Sequence, residues 1–92
     1  MAQVVITLKI MPSSPQIDLV KIEHEAKAKI AGFSQNYEMR SEQEPIAFGL
    51  KALKIIFVMD ENKGSTETLE ESIKKIKGLN SVETIDVRRA IG

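Results

Sequence analysis

Apolar and polar residues alternate along the first segment of the chain, which is the pattern of a β-strand with one buried face. From Ala2 to Met11, one side of this strand is wholly aliphatic and the other side is mixed. The alternation returns from Leu50 to Met59, where both sides carry apolar residues, as is typical of a central strand. It returns again from Ser81 to Ile91, which predicts a last strand.

Between the first two of these strands, apolar residues recur at spacings of three and four, which predicts an amphipathic helix. The helix is expected from Leu19 to Ala31, because Asp18 is a good N-cap and Gly32 is a natural residue to end it. Its buried stripe consists of Leu19, Ile22, Ala26 and Ile30.

A second helix follows the turn-rich segment Asp60–Gly64. Ser65 or Thr66 can cap this helix, and Thr68 begins a capping-box pattern that offers a later start. Gly78 is the predicted end.

The segment from Phe33 to Glu42 alternates more weakly, with Tyr37 and Met39 between polar residues, and predicts a polar edge strand. The order is then strand, helix, strand, strand, helix, strand. It indicates the α+β, ferredoxin-like split βαβ fold, with a four-stranded antiparallel sheet and both helices on one face. The first and third strands are expected in the middle because they are the most apolar.

The segment from Glu44 to Gly49 joins the edge strand to the central strand. Pro45 fixes φ, whereas Gly49 allows positive φ, so the pattern predicts a shaped loop and not an arbitrary connection. Phe48 is expected at the tip of this loop.

Composition narrows the class of protein. The 92 residues fit one domain, 1–92, and 42% hydrophobic with 28% charged residues is ordinary for a globular chain. The sequence has no apolar run long enough to cross a membrane and no basic start typical of a signal peptide, so we expect a cytoplasmic protein without membrane contact. Because 13 basic residues balance 13 acidic ones, we expect no direct binding to nucleic acid.

Side-chain chemistry for catalysis is missing. The chain has no cysteine, and its single histidine, His24, is expected on the solvated side of the first helix. Asp60 and Glu61 are interpreted as a polar turn and not as magnesium ligands, and no phosphate-binding glycine motif is present. We therefore expect neither an enzyme nor a bound metal or cofactor.

Two functions are common for this topology, and both remain open as alternatives at this point. An RNA-binding module needs aromatic residues on the two central strands, yet the first has none and the third has only Phe57. A regulatory domain that senses a small molecule, usually a dimer, is the other alternative.

The stretch Glu44-Pro45-Ile46-Ala47-Phe48-Gly49-Leu50-Lys51-Ala52-Leu53 resembles the guanine-nucleotide exchange domain of translation elongation factor 1-beta in its archaeal form. The resemblance covers the whole chain, including the Met-Pro-x-Ser-Pro end of the first strand and the closing Asp86-Val87-Arg88-Arg89. It implies a ferredoxin-like fold and an exchange factor for protein biosynthesis. It also implies a partner, the GTPase elongation factor 1-alpha.

The resemblance further implies a GTPase-binding site. In the family, the loop phenylalanine enters an apolar pocket of the GTPase, which makes Phe48 the expected wedge. Eukaryotic relatives also use a lysine near the C-terminus beside it; here Arg88 or Arg89 supplies the cation, or that step is performed differently. The chain is expected to be monomeric when free. The implied contact residues are Pro45, Ile46, Ala47, Phe48, Gly49, Arg88 and Arg89.

Overall fold

A computed structural model describes residues 3–34, 38–63 and 65–89 of the chain. The elements, in chain order, are β1 (Gln3–Pro12), α1 (Leu19–Ser34), β2 (Met39–Pro45), β3 (Lys51–Asp60), a short 3₁₀ helix (Glu61–Lys63), α2 (Glu67–Lys74) and β4 (Leu79–Arg89).

The four strands form one antiparallel sheet in the order β2-β3-β1-β4. The two most apolar strands lie in the middle and the polar strand β2 lies at an edge, as predicted. Ile6 lies opposite Phe57 and Leu8 lies opposite Ile55, so the buried apolar sides of β1 and β3 share one face. The ferredoxin-like α+β fold is confirmed.

Both helices cover this apolar face, so one core holds the molecule together. Phe57 is the largest of its fully buried side chains, at 1% exposure. In the part of the chain that the structure describes, no helix covers the opposite face of the sheet, which we call the open face. Fifteen buried residues form the core: Ile6, Leu8, Ile10, Leu19, Ile22, Ala26, Ile30, Leu53, Ile55, Phe57, Met59, Leu69, Ile73, Ile76 and Val82.

Helix α1 begins where the sequence predicts and ends later. The Asp18 carboxylate accepts hydrogen bonds from the backbone N–H groups of Val20 (3.0 Å) and Lys21 (3.4 Å), which confirms the N-cap. The prediction that Gly32 ends the helix was wrong, because α1 continues to Ser34. Gly32 is exposed, while the last turn still buries Ser34, whose hydroxyl donates to the Ile30 carbonyl (2.9 Å).

Helix α2 is shorter than predicted. Its N-cap position is Thr66, whose side chain makes no capping bond, while the Ser65 hydroxyl accepts from the Glu67 N–H (3.1 Å). The helix ends at Lys74, so the prediction that it ends at Gly78 was also wrong. The chain must turn before Gly78 to enter β4, and there Gly78 adopts φ +96°, which favours glycine.

The strands differ from their predicted bounds by a few residues. Strand β2 begins at Met39, because Phe33 belongs to α1, and Tyr37 lies outside the described residues. The prediction that the Phe33–Glu42 segment is an edge strand is therefore right in kind but too early in the chain. The first residues of the predicted β1 and the last of β4 also lie outside the described part.

A β-bulge interrupts the alternation of β4. Leu8 lies opposite Thr84 and Thr7 lies opposite Asp86, so Ile85 is an inserted residue. Beyond the bulge, Val87 lies opposite Ile6 on the core face of the sheet but is 58% exposed, whereas Val82, opposite Ile10, is 3% exposed.

Candidate functional site

Strands β2 and β3 are joined by a tight turn at residues 46–50. The Ile46 N–H donates to the Leu50 carbonyl (2.8 Å), and the Leu50 N–H donates to the Ala47 carbonyl (3.0 Å). The two central residues, Phe48 and Gly49, have φ of 57° and 77°. Positive φ at both central positions is the feature of a type I′ turn, whose twist suits a two-residue hairpin. The shaped loop predicted from Glu44 to Gly49 is thus the tip of a β-hairpin.

Phe48 is the unusual residue of this turn. It is 94% exposed, and it is the one non-glycine residue with positive φ in the described part of the chain. A left-handed conformation costs an L-residue about 1–2 kcal/mol, and an exposed phenyl ring regains nothing from the core. A side chain that is both strained and solvated marks a position where binding, and not folding, explains the residue.

The base of the hairpin is held on two sides. A Cβ placed on Gly49 would lie 3.8 Å from the Pro15 Cβ, so the turn sits against the rigid connection between β1 and α1. On the open face, Lys54 of β3 forms an ion pair with Glu44 of β2. These contacts orient the turn before any partner arrives.

The Glu44–Lys54 pair shifts both titrations. The pKa of Glu44 lies below its ordinary value because its carboxylate accepts a hydrogen bond from Lys54 and lies beside that positive charge. The pKa of Lys54 is raised, chiefly by the same hydrogen bond. Each shift favours the charged form, so the pair stabilises the hairpin while both groups are ionised.

This pair predicts a specific acid sensitivity. Since the folded pKa of Glu44 is lowered, its contribution is complete above the unfolded pKa, about 4.3, and is lost as the pH falls through the folded pKa. We expect wild type to be more stable than Glu44→Gln at pH 6, and the difference to shrink as the pH falls and Glu44 becomes protonated. Urea unfolding of both proteins from pH 6 downward measures it; a difference that stays constant on acidification would contradict the assignment.

Arg88 and Arg89, the other predicted contact residues, lie on opposite faces of β4. Arg88 lies opposite Val5 on the open face, and its Nε is 2.9 Å from the Asp86 carboxylate. Arg89 donates from Nε (3.3 Å) and from a terminal nitrogen (3.0 Å) to one Glu61 oxygen, which ties it to the 3₁₀ helix.

The structure does not bring the arginines to Phe48. Arg88 lies opposite Val5 near the start of β1, whereas Leu53 at the hairpin end lies opposite Ile10. At about 3.3 Å per residue, Arg88 and the hairpin tip are roughly 25–30 Å apart. The seven predicted contact residues therefore form two groups at opposite ends of a molecule that is 42 Å long, and their roles toward a partner remain predictions.

Catalytic or metal chemistry finds no support in the described residues. No cluster of three or more potential metal ligands occurs among them, and His24 is exposed on α1. Phe57 faces the helices, so the open face of β1 and β3 presents no aromatic side chain for stacking bases. No helix in the described ranges is long and apolar enough to cross a membrane.

Val20 is an exposed residue that the sequence did not single out. It lies one position after the buried Leu19 on α1 and is 64% exposed. It lines a groove between α1 and the hairpin, together with Gly49 and Lys51. The only signal in the sequence is an aliphatic residue just off the buried stripe, which is too common to attract attention.

Comparison with known proteins defines the class. The profile of the family described as "EF-1 guanine nucleotide exchange domain" matches residues 5–90, so the chain belongs to that family. It is a guanine-nucleotide exchange factor of translation elongation.

Individual relatives have nearly the same length as this chain. It is 43% identical over 89 residues to elongation factor 1-beta of Methanobrevibacter smithii, covering 97% of this chain and 98% of the relative. It is 40% identical, with the same coverage, to the elongation factor 1-beta proteins of Methanothermobacter thermautotrophicus and Aeropyrum pernix. The archaeal type of the predicted resemblance is confirmed.

Proposed function

We propose that this chain promotes the release of GDP from the GTPase elongation factor 1-alpha, with Phe48 as the residue that enters the partner. The observation that carries the assignment of Phe48 is its position at the tip of the hairpin, with a positive φ and 94% exposure. The fold needs no phenylalanine there, whereas a partner with an apolar pocket does.

Exchange of this kind requires differential binding and no bond chemistry. A protein that binds the nucleotide-free GTPase more tightly than the GDP-bound form must weaken GDP binding by the same factor, because the two equilibria are linked. GTP then occupies the emptied site because it is the more abundant nucleotide. The described residues form no cluster of metal ligands, and this mechanism requires none.

Burial of the Phe48 side chain supplies enough free energy to account for the coupling that nucleotide exchange needs. Burial of an exposed phenylalanine side chain supplies about 1.5–3 kcal/mol, and a coupling between two ligands is typically about 1–3 kcal/mol. A single apolar anchor therefore matches the required coupling, provided that it is already ordered.

The residues around Phe48 provide that order. Pro45 ends β2 opposite Lys51, and Ala47 accepts the hydrogen bond that closes the turn. Gly49 supplies the positive φ, while Ile46, at 45% exposure, adds apolar surface next to the tip. Little conformational entropy remains to be lost when the partner binds.

Arg88 and Arg89 form a second proposed contact at the other end of the molecule. The side chain of Arg88 is 78% exposed and that of Arg89 is 72% exposed, so either can offer a cation to a phosphate or carboxylate. Given the distance from Phe48, this contact engages a different part of the GTPase. We further propose that residues 1–92 act as a single exchange domain, monomeric when free, in the cytoplasm.

The proposal predicts a kinetic effect without a change in equilibrium. Stoichiometric protein should accelerate the loss of a fluorescent GDP from the cognate elongation factor 1-alpha, measured by stopped flow. At substoichiometric amounts it should shorten the approach to equilibrium and leave the final ratio of bound GDP to bound GTP unchanged. An unchanged release rate would overturn the proposed function; an unrelated protein of similar size is the control.

A further inference from the structure

Exposed apolar side chains are concentrated at the hairpin end of the molecule. Among the described residues, the exposed large hydrophobic side chains are Val20, Ile46, Phe48, Ile85 and Val87. Three of these five belong to the hairpin or to the helix start beside it, although they come from separate segments of the chain. Such clustering of apolar surface marks an interaction site.

Packing in the core does not explain why a valine stands at position 20. Its neighbours on α1 divide cleanly, since Leu19 is 9% exposed and Ile22 is 3% exposed, whereas Val20 is 64% exposed and points to solvent. A β-branched residue is also a weaker helix former than the charged residues around it. Its hydrophobic character therefore needs an explanation other than folding.

The groove between α1 and the hairpin connects Val20 to the turn. Val20 and Gly49 line the same groove, which has Pro12 and Pro15 in its wall. Glycine leaves the wall beside Phe48 without a side chain, so an incoming backbone can approach closely. The prolines keep this wall rigid.

We propose that Val20 is a second apolar contact to the GTPase and that the partner lies across this groove when Phe48 is inserted. This inference rests on the proposed function. A partner that buries the ring of Phe48 must bring its surface against the adjoining groove, and Val20 is the exposed aliphatic residue on the groove's far side. The charges that line the groove, Asp18 and Lys51, have opposite signs, so the surface fits an uncharged, apolar segment of the partner and not a phosphate backbone.

The absence of cysteine from the chain permits a direct test of this contact. Val20→Cys and Ala28→Cys each introduce one exposed thiol on α1, and the two positions are about 12 Å apart along the helix. In the complex with nucleotide-free elongation factor 1-alpha, alkylation of the thiol at position 20 should slow about tenfold or more, because a buried interface excludes solvent. Alkylation at position 28 should keep its free rate.

A variant that places a charge at position 20 measures how much the Val20 contact contributes to binding of the GTPase. Val20→Lys should weaken binding to the nucleotide-free GTPase about tenfold, whereas Ala28→Lys should bind as wild type does. Circular dichroism checks that both variants are folded, which the exposure of both positions leads us to expect.

The outcomes separate this inference from the proposed function. If wild type accelerates GDP release but the thiol at position 20 alkylates at its free rate in the complex, the Val20 contact is wrong and the proposed function stands. Equal slowing at positions 20 and 28 would also overturn the groove as the specific site. If wild type neither binds the GTPase nor accelerates release, the proposed function itself fails.

Discussion

Phe48→Ala is expected to slow stimulated GDP release by about tenfold to a hundredfold and to leave the unfolding temperature unchanged. The ring is 94% exposed, so its removal takes no contact from the core. The left-handed conformation at φ 57° costs alanine about as much free energy as it costs phenylalanine, so the substitution neither relieves nor increases the strain of the turn. The lost rate reflects only the apolar contact with the partner.

Stopped-flow release of fluorescent GDP and thermal unfolding, measured on the same preparations, test this expectation. Phe48→Leu is a matched control that keeps an apolar side chain and should keep part of the activity. Phe48→Gly removes the ring and also the left-handed strain, so it should unfold at a higher temperature while exchanging as poorly as alanine. Wild-type exchange by Phe48→Ala would show that the hairpin tip is not the wedge.

The hairpin shows which features of a turn can be predicted from the sequence and which cannot. Pro45 and Gly49 mark a shaped turn, and Gly49 indeed occupies a position with positive φ. The preceding position, however, also has positive φ, where asparagine, aspartate or glycine is the expected residue. No propensity places phenylalanine there, so its conformation became visible only in the structure.

The order of the strands was predictable because hydrophobicity reports burial. β1 and β3 are apolar on the core side and lie in the middle, while polar β2 lies at an edge. The ends of the helices were not predictable in the same way. Gly32 is tolerated inside α1 because it is exposed, and Gly78 follows α2 by several residues because the chain must first bury Ile76.

The arrangement of the candidate site could not be predicted from the sequence, for a different reason. Sequence position alone does not show that Arg88 lies at the far end of the sheet from Phe48, since this depends on pairing with β1. The bulge at Ile85 also changes which residues of β4 share a face. No residue type at that point of the sequence predicts a bulge. The long-range pairing register of the strands is thus the part of the site that the local sequence pattern does not determine.

Phe57→Ala is expected to destabilise the protein by about 3–5 kcal/mol, the reverse of the result at Phe48. Phe57 is 1% exposed in the central strand β3, between Ile6 on β1 and Met39 on β2. A small domain has a total stability of about 5–15 kcal/mol, so urea unfolding should show a much lower midpoint.

The same phenylalanine-to-alanine change at Phe48 is the control, since both variants lose the same atoms. At a temperature where Phe57→Ala is still folded, it should accelerate GDP release as wild type does, because its side chain faces the helices and not the hairpin tip. A wild-type urea midpoint would show that the core closes over the missing ring. Lost exchange in a fully folded Phe57→Ala would instead mean that the core positions the hairpin, and exposure alone would then no longer separate binding residues from folding residues.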